Sequence, residues 1–543
     1  MSATTDAPAT QAMVNQKLLL REKLSYGCGD FASCLYWQTF MLYLTFYYTD
    51  IFGISALAAA ALLGLSRSLD AFFDPIMGMI GDRTKTRWGK YRPYLLWLCV
   101  PFAIAGVLTF TTPGLSTAAS LESAFGGVMR SGFGAMAAAF NGVGHVFQVL
   151  HVGFLADGCD SLGEKAQALK SEVTGRLVWA VLTYNALMLL YTAINIPYTA
   201  MLGVLTPNPS DRTSLSSIKY VGAFLGGNII VSFFLLGTVK VLGHGDPARG
   251  WQLTFVVIGI AAVVLFLNTF WNTRERVEPP KAQKTSIWRD LGDLFTNGPW
   301  LILLVTTITF ILFVAARSSV TVHYFKYFVG THVITLPGWF PVVGGTQEWH
   351  FDSLVSIYNG SGGIASLIGV ILLPFYVNRV GKKTAFITIF IAAIACTASF
   401  YVLRADQIGL IFLMNLLGSL TGGPLSALIF AMYADTADYS EWKRGRRATG
   451  LVMSASIFSQ KQGWAIGATV ALMLMSNVGF QANVAQTPES LHGLVKLMSI
   501  IPAEIGVVSI ILVLLYPLTE AKMAQISTDL KARRATAEIE GAL

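Results

Sequence analysis

Gly78-Met-Ile-Gly-Asp82-Arg83-Thr84-Lys85, followed by Gly89-Lys90-Tyr91-Arg92, has an echo far along the chain in Asn378-Arg379-Val380-Gly381-Lys382-Lys383. Each stretch closes one apolar run and opens the next. Working outward from them, apolar segments recur at 26–50, 54–80, 93–112, 177–205, 217–243 and 251–272. After a charged break they resume at 299–327, 353–377, 384–404, 407–433, 448–476 and 494–517. A bilayer-spanning helix takes about 20 mostly apolar residues, so the pattern predicts six spans, a linker and six more. The expected fold is an all-α polytopic membrane protein with 12 transmembrane helices in two six-helix bundles. The boundaries read as an N-terminal segment 1–25, a bundle 26–272, a linker 273–298, a bundle 299–517 and a tail 518–543. Related halves of this kind hold a substrate near the midplane between them. Glycines in the two echoing loops allow close helix approach, while Asp82, Arg83 and Arg379 are placed to latch the bundles as a cytoplasmic gate with Gly78.

Composition excludes the main alternatives. The chain has 543 residues, 54% hydrophobic and only 13% charged, against about 25% charged in soluble domains, so a soluble enzyme is ruled out. A net charge of +8 is no sign of a nucleic-acid partner, because the basic residues sit in short loops. Arg83, Lys85, Arg87, Lys90 and Arg92, then Arg212, Arg274, Arg276, Lys281, Lys284 and Arg289, then Arg379, Lys382, Lys383, Lys443, Arg444, Arg446 and Arg447 all fall on one side of the twelve-span topology. Arg130, Lys165, Lys170 and Arg249 are the main ones opposite. The positive-inside bias places both termini in the cytoplasm, with the bacterial inner membrane as the expected location. Of the cysteines, Cys28, Cys34, Cys99 and Cys396 lie in or beside apolar runs and Cys159 in a polar stretch, which is no disulfide or zinc framework. The chain contains no nucleotide-cradling Gly-x-x-x-x-Gly-Lys-Ser/Thr loop. Neither a structural metal nor a cofactor is expected, and the chain reads as a monomer.

Residues 133–156 carry no Asp, Glu, Lys or Arg and satisfy the length of a thirteenth span. One extra crossing would invert every later loop and expose the basic clusters on the wrong side. Residues 113–176 therefore read as an external insertion between spans three and four, with its Gly, Asn, His and Gln suited to an interfacial or packed helix. A second insertion, 329–352, lies on the same side. His145 and His151 in the first read as polar surface positions rather than metal ligands.

The chemistry concentrates where charges are expensive. In Leu63-Gly-Leu-Ser-Arg67-Ser-Leu-Asp70-Ala-Phe-Phe-Asp74-Pro75, positions 67, 70 and 74 form one stripe of the second helix. Each ionisable group costs about 2.5 to 3.5 kcal/mol inside a bilayer. Two carboxylates one turn apart repel in low dielectric unless a cation sits between them, and hard cations prefer oxygen ligands. Pro75 removes a backbone donor and frees a carbonyl or bends the helix. Arg67 pairs with at most one carboxylate, and Lys461, in Ser459-Gln-Lys461-Gln-Gly463-Trp464 of the eleventh helix, is a second positive charge from the other half. Two readings stand: a cation or proton site with Lys461 competing for it, and a fully paired structural tetrad.

On the substrate side, a sugar wants polar partners for its hydroxyls and an aromatic for its ring face. Asp30, Tyr36, Trp37, Gln38 and Asn195 fit. Packing is an equal reading for Tyr36 and Trp37, and a helix-end role for Asp30.

Several motifs together closely resemble the glycoside-pentoside-hexuronide:cation symporters, the melibiose-permease-like branch of the major facilitator superfamily. They are Tyr26-Gly-Cys-Gly29-Asp30-Phe31, Phe46-Tyr-Tyr-Thr49-Asp50-Ile-Phe-Gly53, Arg67-Ser-Leu-Asp70-Ala-Phe-Phe-Asp74-Pro75-Ile-Met-Gly78 and Asp82-Arg83-Thr-Lys-Thr-Arg87-Trp88-Gly89-Lys90-Tyr91-Arg92-Pro93. Asn195-Ile-Pro197-Tyr198, Asp211-Arg212-Thr213, Asp435-Thr-Ala-Asp438-Tyr439-Ser-Glu441-Trp442-Lys443, Lys461 and Tyr516-Pro-Leu-Thr-Glu520 continue it. The resemblance spans nearly the whole chain outside the two insertions. It implies that Asp70 and Asp74 are the paired cation-site aspartates, that Thr192 is a hydroxyl ligand to the ion, and that Lys461 is the nearby lysine of the eleventh helix. The melibiose carriers have aspartates where this chain has Cys34 and Asn195, and a tryptophan where it has Thr199, so those three positions belong to an altered sugar site and a galactoside is not implied. The function expected is Na+- or H+-coupled symport of a sugar or glycoside by alternating access. The alternative is a lipid or lysolipid carrier of the same superfamily. A sensor would need a signalling domain larger than the tail, and a membrane enzyme a nucleophile–base set that the sequence does not offer.

Overall fold

The computed structural model describes residues 18–149, 153–206, 209–276, 296–336, 345–444, 449–526, 528–530 and 532. Twelve long helical rods and two further helices make up most of the described chain. In the first half these are α1 (Leu20–Leu42, continued by Leu44–Phe46 and a π-helical turn Tyr47–Phe52), α2 (Ala56–Arg83), α3 (Arg92–Thr109), α4 (Leu115–Val149), α5 (Gly153–Ser171), α6 (Gly175–Leu205), α7 (Pro209–Phe224, continued by Leu225–Phe234 and Leu235–Gly243) and α8 (Pro247–Asn272). The second half has α9 (Gly298–His323, continued by Tyr324–Val329), α10 (Phe351–Val380), α11 (Lys382–Ser399), α12 (Ile408–Arg444), α13 (Thr449–Asn477) and α14 (Pro488–Met498, continued by Ile500–Leu514). All but α4 and α5 are rods of the twelve-span pattern.

Helix starts follow local chemistry. The Ser55 hydroxyl accepts from the Ala58 amide, Thr174 from Leu177, Asp246 from Ala248 and Arg249, Asn297 from Trp300 and Thr487 from Ser490. In the last three a proline follows in the first turn, where its missing N–H costs nothing. The rods also outrun their apolar stretches at the basic ends. α1 begins at Leu20 rather than 26, and its first turn is held by Lys23–Asp211 and Arg276–Glu22 ion pairs, both at 2.7 Å. Hydropathy marks only the part of a helix that needs lipid, so it misses such polar turns.

The chain forms two compact units, Met1–Pro279 with Leu472–Gln486 and Pro280–Ala471 with Thr487–Leu543. In the first, α1 packs on α7 and α8, α3 on α6 and α8, and α2 on α6. The α1–α7 crossing is close enough that a Cβ on Gly222 would lie 2.2 Å from the Gly27 carbonyl oxygen, and one on Gly226 2.6 Å from that of Phe31; only glycine admits this backbone-to-backbone approach. Aromatic rings fill the core, with Phe110 stacked on Phe255 (3.6 Å between centroids) and on Trp251 (5.4 Å). In the second, α10 and α11 pack on α12, and α9 and α11 on α14, around Trp300, Phe310, Phe313, Phe386 and Phe390.

The first insertion is an antiparallel helical pair: Gly134 faces Lys170 and Gly163 faces Asn141. Arg130 bonds Glu122 at 2.5 Å and the Val173 carbonyl at 3.0 Å, and Glu122 accepts from the Gly175 amide, which ties the pair to the start of α6. α5 carries Asp157, Asp160, Glu164, Lys165 and Lys170, too many charges for a lipid-crossing helix. His145 is exposed; His151 lies outside the described residues. The second insertion contains a two-stranded antiparallel hairpin, β1 (His332–Leu336) and β2 (Gly345–Trp349). The tail from 518 is docked over its described part: Ile526 and Leu530 are buried in the second unit's core, and the Trp442 indole donates to Asp529 at 2.8 Å.

Among the described residues, nine helices are long and apolar enough to cross a membrane. The remaining rods of the twelve, α1, α2 and α13, carry Asp30, the Arg67–Asp74 stripe and Lys461 respectively.

Candidate functional site

The oxygen cluster of the first unit lies where α2 meets α6. Asp70 is 3% exposed and Asp74 half-buried, one turn further along the same face. From α6 the buried Thr192 hydroxyl donates to Asp70 Oδ1 at 2.5 Å and lies 3.4 Å from Asp74 Oδ1. Two carboxylate oxygens of α2 thus gather within 3.4 Å of one hydroxyl of α6, an all-oxygen donor set of the type a hard cation takes. α2 runs unbroken through Pro75. Arg67, also buried, donates through Nε to the Tyr184 hydroxyl (3.3 Å) and through Nη2 to the Phe40 carbonyl (3.3 Å), so it joins α1, α2 and α6. Lys461 is half-buried on α13 in the second unit.

A second polar group lies on α1. Asp30 and Cys34 are one turn apart, and Trp37 follows on the same side of the helix. The Trp37 ring stacks on Tyr191 of α6 at 5.7 Å. Tyr36 is fully buried against Phe102 (4.3 Å) and Phe255 (5.6 Å), so of its two readings the core one holds. Asn195 is half-buried one turn beyond Thr192, and Thr199, one turn further, is exposed. The sequence reading missed Lys219. Its Nζ lies 4.0 Å from Asp30 Oδ1 and 5.6 Å from the Tyr198 ring centroid. Lys219 lies only two residues inside an apolar run starting at 217 and has no motif to mark it; the α1–α7 crossing is what brings it to Asp30.

The two landmark loops are built alike. In the first, the Glu275 carboxylate accepts from the backbone amides of Lys90 (2.8 Å), Tyr91 (2.8 Å) and Arg92 (3.0 Å), capping α3. Gly89 precedes them at φ +112° with the carboxylate where a Cβ would be. In the second, Glu520 accepts from the Lys382 amide at 2.7 Å beside Gly381 at φ +81°, at the start of α11. Acidic groups at helix N-termini satisfy otherwise orphaned donors. Of the four gate residues, Arg83 and Arg379 are exposed at the ends of α2 and α10, Gly78 lies in the last turns of α2, and the Asp82 side chain is outside the described set. The ion pair the second loop makes within its own unit runs from Lys382 to Asp435, 2.7 Å.

Residues 25–156 and 166–520 match the family model described as MFS/sugar transport protein. The chain belongs to that family. Its relatives include the isoprimeverose transporter of Lactiplantibacillus pentosus, 33% identical over 90% of this chain and 87% of the relative. The candidate glycoside/cation symporter YagG of Escherichia coli (strain K12) is 30% identical, over 96% of each chain. Among solved structures, a bacterial homologue of the human drug peptide transporters PepT1 and PepT2 superimposes with a TM-score of 0.56 at 12% identity, covering 91% of this chain and 97% of that one; this likeness bears on the fold alone. The transporter is thus a multi-pass membrane protein of the glycoside-pentoside-hexuronide:cation symporter type and not an enzyme.

Proposed function

We infer that this transporter couples the movement of a sugar or glycoside to that of a monovalent cation, Na+ or H+, across the bacterial inner membrane, with both termini cytoplasmic. The observation that carries the reading is the Thr192 hydroxyl between two intramembrane carboxylates, 2.5 and 3.4 Å away. Carboxylates gathered in a low-dielectric span are costly to keep charged, and a cation held among their oxygens lowers that cost. Ion binding pulls α2 and α6 together through these oxygens. α6 also carries Asn195 and Tyr191, the latter stacked on Trp37 of α1, so ordering α6 orders the sugar-facing groups. Coupling is then reciprocal: whatever factor the ion adds to sugar affinity, the sugar adds to ion affinity.

The energy suffices. A tenfold ion gradient supplies about 1.4 kcal/mol and each 100 mV about 2.3 kcal/mol per charge, so one cation concentrates a neutral sugar many-fold. The lysolipid alternative is disfavoured by relatives named for glycosides and by the charged Asp30–Lys219 pair on the substrate side. Counterflow in proteoliposomes against pentosides, hexosides and uronides, with Na+ or a proton gradient, tests the reading. Glycoside exchange stimulated by one of the two ions is the expected result. Exchange indifferent to both ions would remove the coupling, and lysolipid displacing ligand while no glycoside does would replace the substrate class.

A further inference from the structure

We propose that Asp30 and Lys219 form a hydroxyl-reading pair that admits neutral sugars and turns away sugars bearing a carboxylate. The inference rests on the sugar-transport reading above and narrows its substrate class. Both side chains are largely enclosed, Lys219 20% and Asp30 12% accessible. Their charges are 4.0 Å apart, close enough to attract strongly in an apolar span yet beyond the roughly 3.2 Å of a hydrogen bond. The carboxylate keeps acceptor capacity and the ammonium keeps donors, with a gap between them. A sugar hydroxyl is a donor and an acceptor at once: bridging the gap, it donates to Asp30 and accepts from Lys219.

The pair is held in place. The ammonium lies over the Tyr198 ring, 5.6 Å from its centroid. Tyr198 stacks on Tyr26 at 4.8 Å and donates its hydroxyl to the Tyr26 carbonyl at 2.7 Å. Gly29 gives the ring its room, since a Cβ there would lie 2.4 Å from it. One and two turns along α1 from Asp30, Cys34 and the half-buried Trp37 offer no charge, and Trp37 adds a flat apolar surface for a ring face. A uronate carboxylate is acceptor-only: it can accept from Lys219 but has no proton to donate to Asp30, and it leaves the enclosed group with a net negative charge. An uncharged hydroxymethyl group meets no such opposition.

The test uses the purified full-length transporter in nanodiscs, titrated in Na+ and at low pH with 4-nitrophenyl β-D-xyloside, β-D-glucoside and β-D-glucuronide, the last two differing only in a C6 hydroxymethyl against a carboxylate. At least one neutral glycoside should bind about tenfold or more tightly than the glucuronide, the size of a hydrogen bond to a charged group. Asp30→Asn should weaken the neutral ligand about tenfold and strengthen the glucuronide, so that the preference collapses or inverts. Asp30→Glu, which keeps the charge, should keep the exclusion and serves as the control for folding, alongside thermal melting of each variant. Wild-type protein that binds glucuronide as tightly as glucoside, or an Asp30→Asn variant with an unchanged ratio, overturns the proposal while leaving sugar transport standing. If no glycoside of the set binds wild-type protein under either ion condition, the transport reading falls and this proposal with it.

Discussion

α2 and α10 occupy the same place in the two halves. Each is a long second helix with an arginine in its last turn, Arg83 and Arg379, before a loop whose glycine and distant glutamate anchor the next helix. Their interiors differ completely. Counting back thirteen residues from the arginines sets Asp70 against Ser366, and nine residues sets Asp74 against Val370. Where α2 presents carboxylates to Thr192, α10 packs flat: Ser366 donates to the Ser419 carbonyl at 3.1 Å, and its side chain fills the space where a Cβ on Gly423 would sit. The scaffold is repeated but the carboxylate stripe is not: Asp70, Asp74 and the Thr192 hydroxyl that meets them all lie in the first unit.

That asymmetry has consequences of graded size. Asp70→Asn, or Asp74→Asn, should reduce ion-driven accumulation to equilibration, measured as uphill uptake in proteoliposomes, while exchange down a sugar gradient continues; uphill uptake persisting in both variants would end the assignment. Ser366→Asp transplants the carboxylate to the other half, where it faces the Ser419 carbonyl to which Ser366 donates. It should create no second ion dependence and should lower stability by about 2.5 to 3.5 kcal/mol, seen as a lower melting temperature in detergent. A variant that melts normally and shows a new ion requirement would mean the halves are more alike than their packing implies. Thr192→Val should weaken the ion's effect on sugar binding about tenfold, the worth of one hydrogen bond to a charged group, and Thr192→Ser should largely restore it. The smallest effect separates the two anchors: Glu275→Ala strips three amides of their acceptor and should cost about 1 to 3 kcal/mol. The exposed Glu520→Ala, which frees one, should cost less than about 1 kcal/mol. Equal shifts in melting temperature would contradict the geometry.

Hydropathy shows how much of this was legible along the chain. Among the described residues, the three rods it passes over carry Asp30, the Arg67–Asp74 stripe and Lys461, while two of the nine it accepts, α6 and α7, carry their partners Thr192 and Lys219. The apolar run 54–80 marks α2 as a span, and reading its charges as a stripe marks it as a site. The same logic applied to position 219 or 275 fails, because a single lysine or glutamate at the margin of an apolar run looks like any loop charge until its neighbour is known. Tyr36 shows the reverse: its place between Asp30 and Gln38 invited a substrate role, and the rings of Phe102 on α3 and Phe255 on α8 make it core.

Span number, family, the carboxylate stripe and the capped helix starts are local properties, written in periodicity, charge and residues a few positions apart, and these were readable from the order of amino acids. Which lysine faces Asp30 and which glutamate closes each loop join residues more than a hundred positions apart. Such pairings depend on how closely helices cross, and at the α1–α7 crossing that distance is set by glycines whose meaning appears only when the facing backbone is in place.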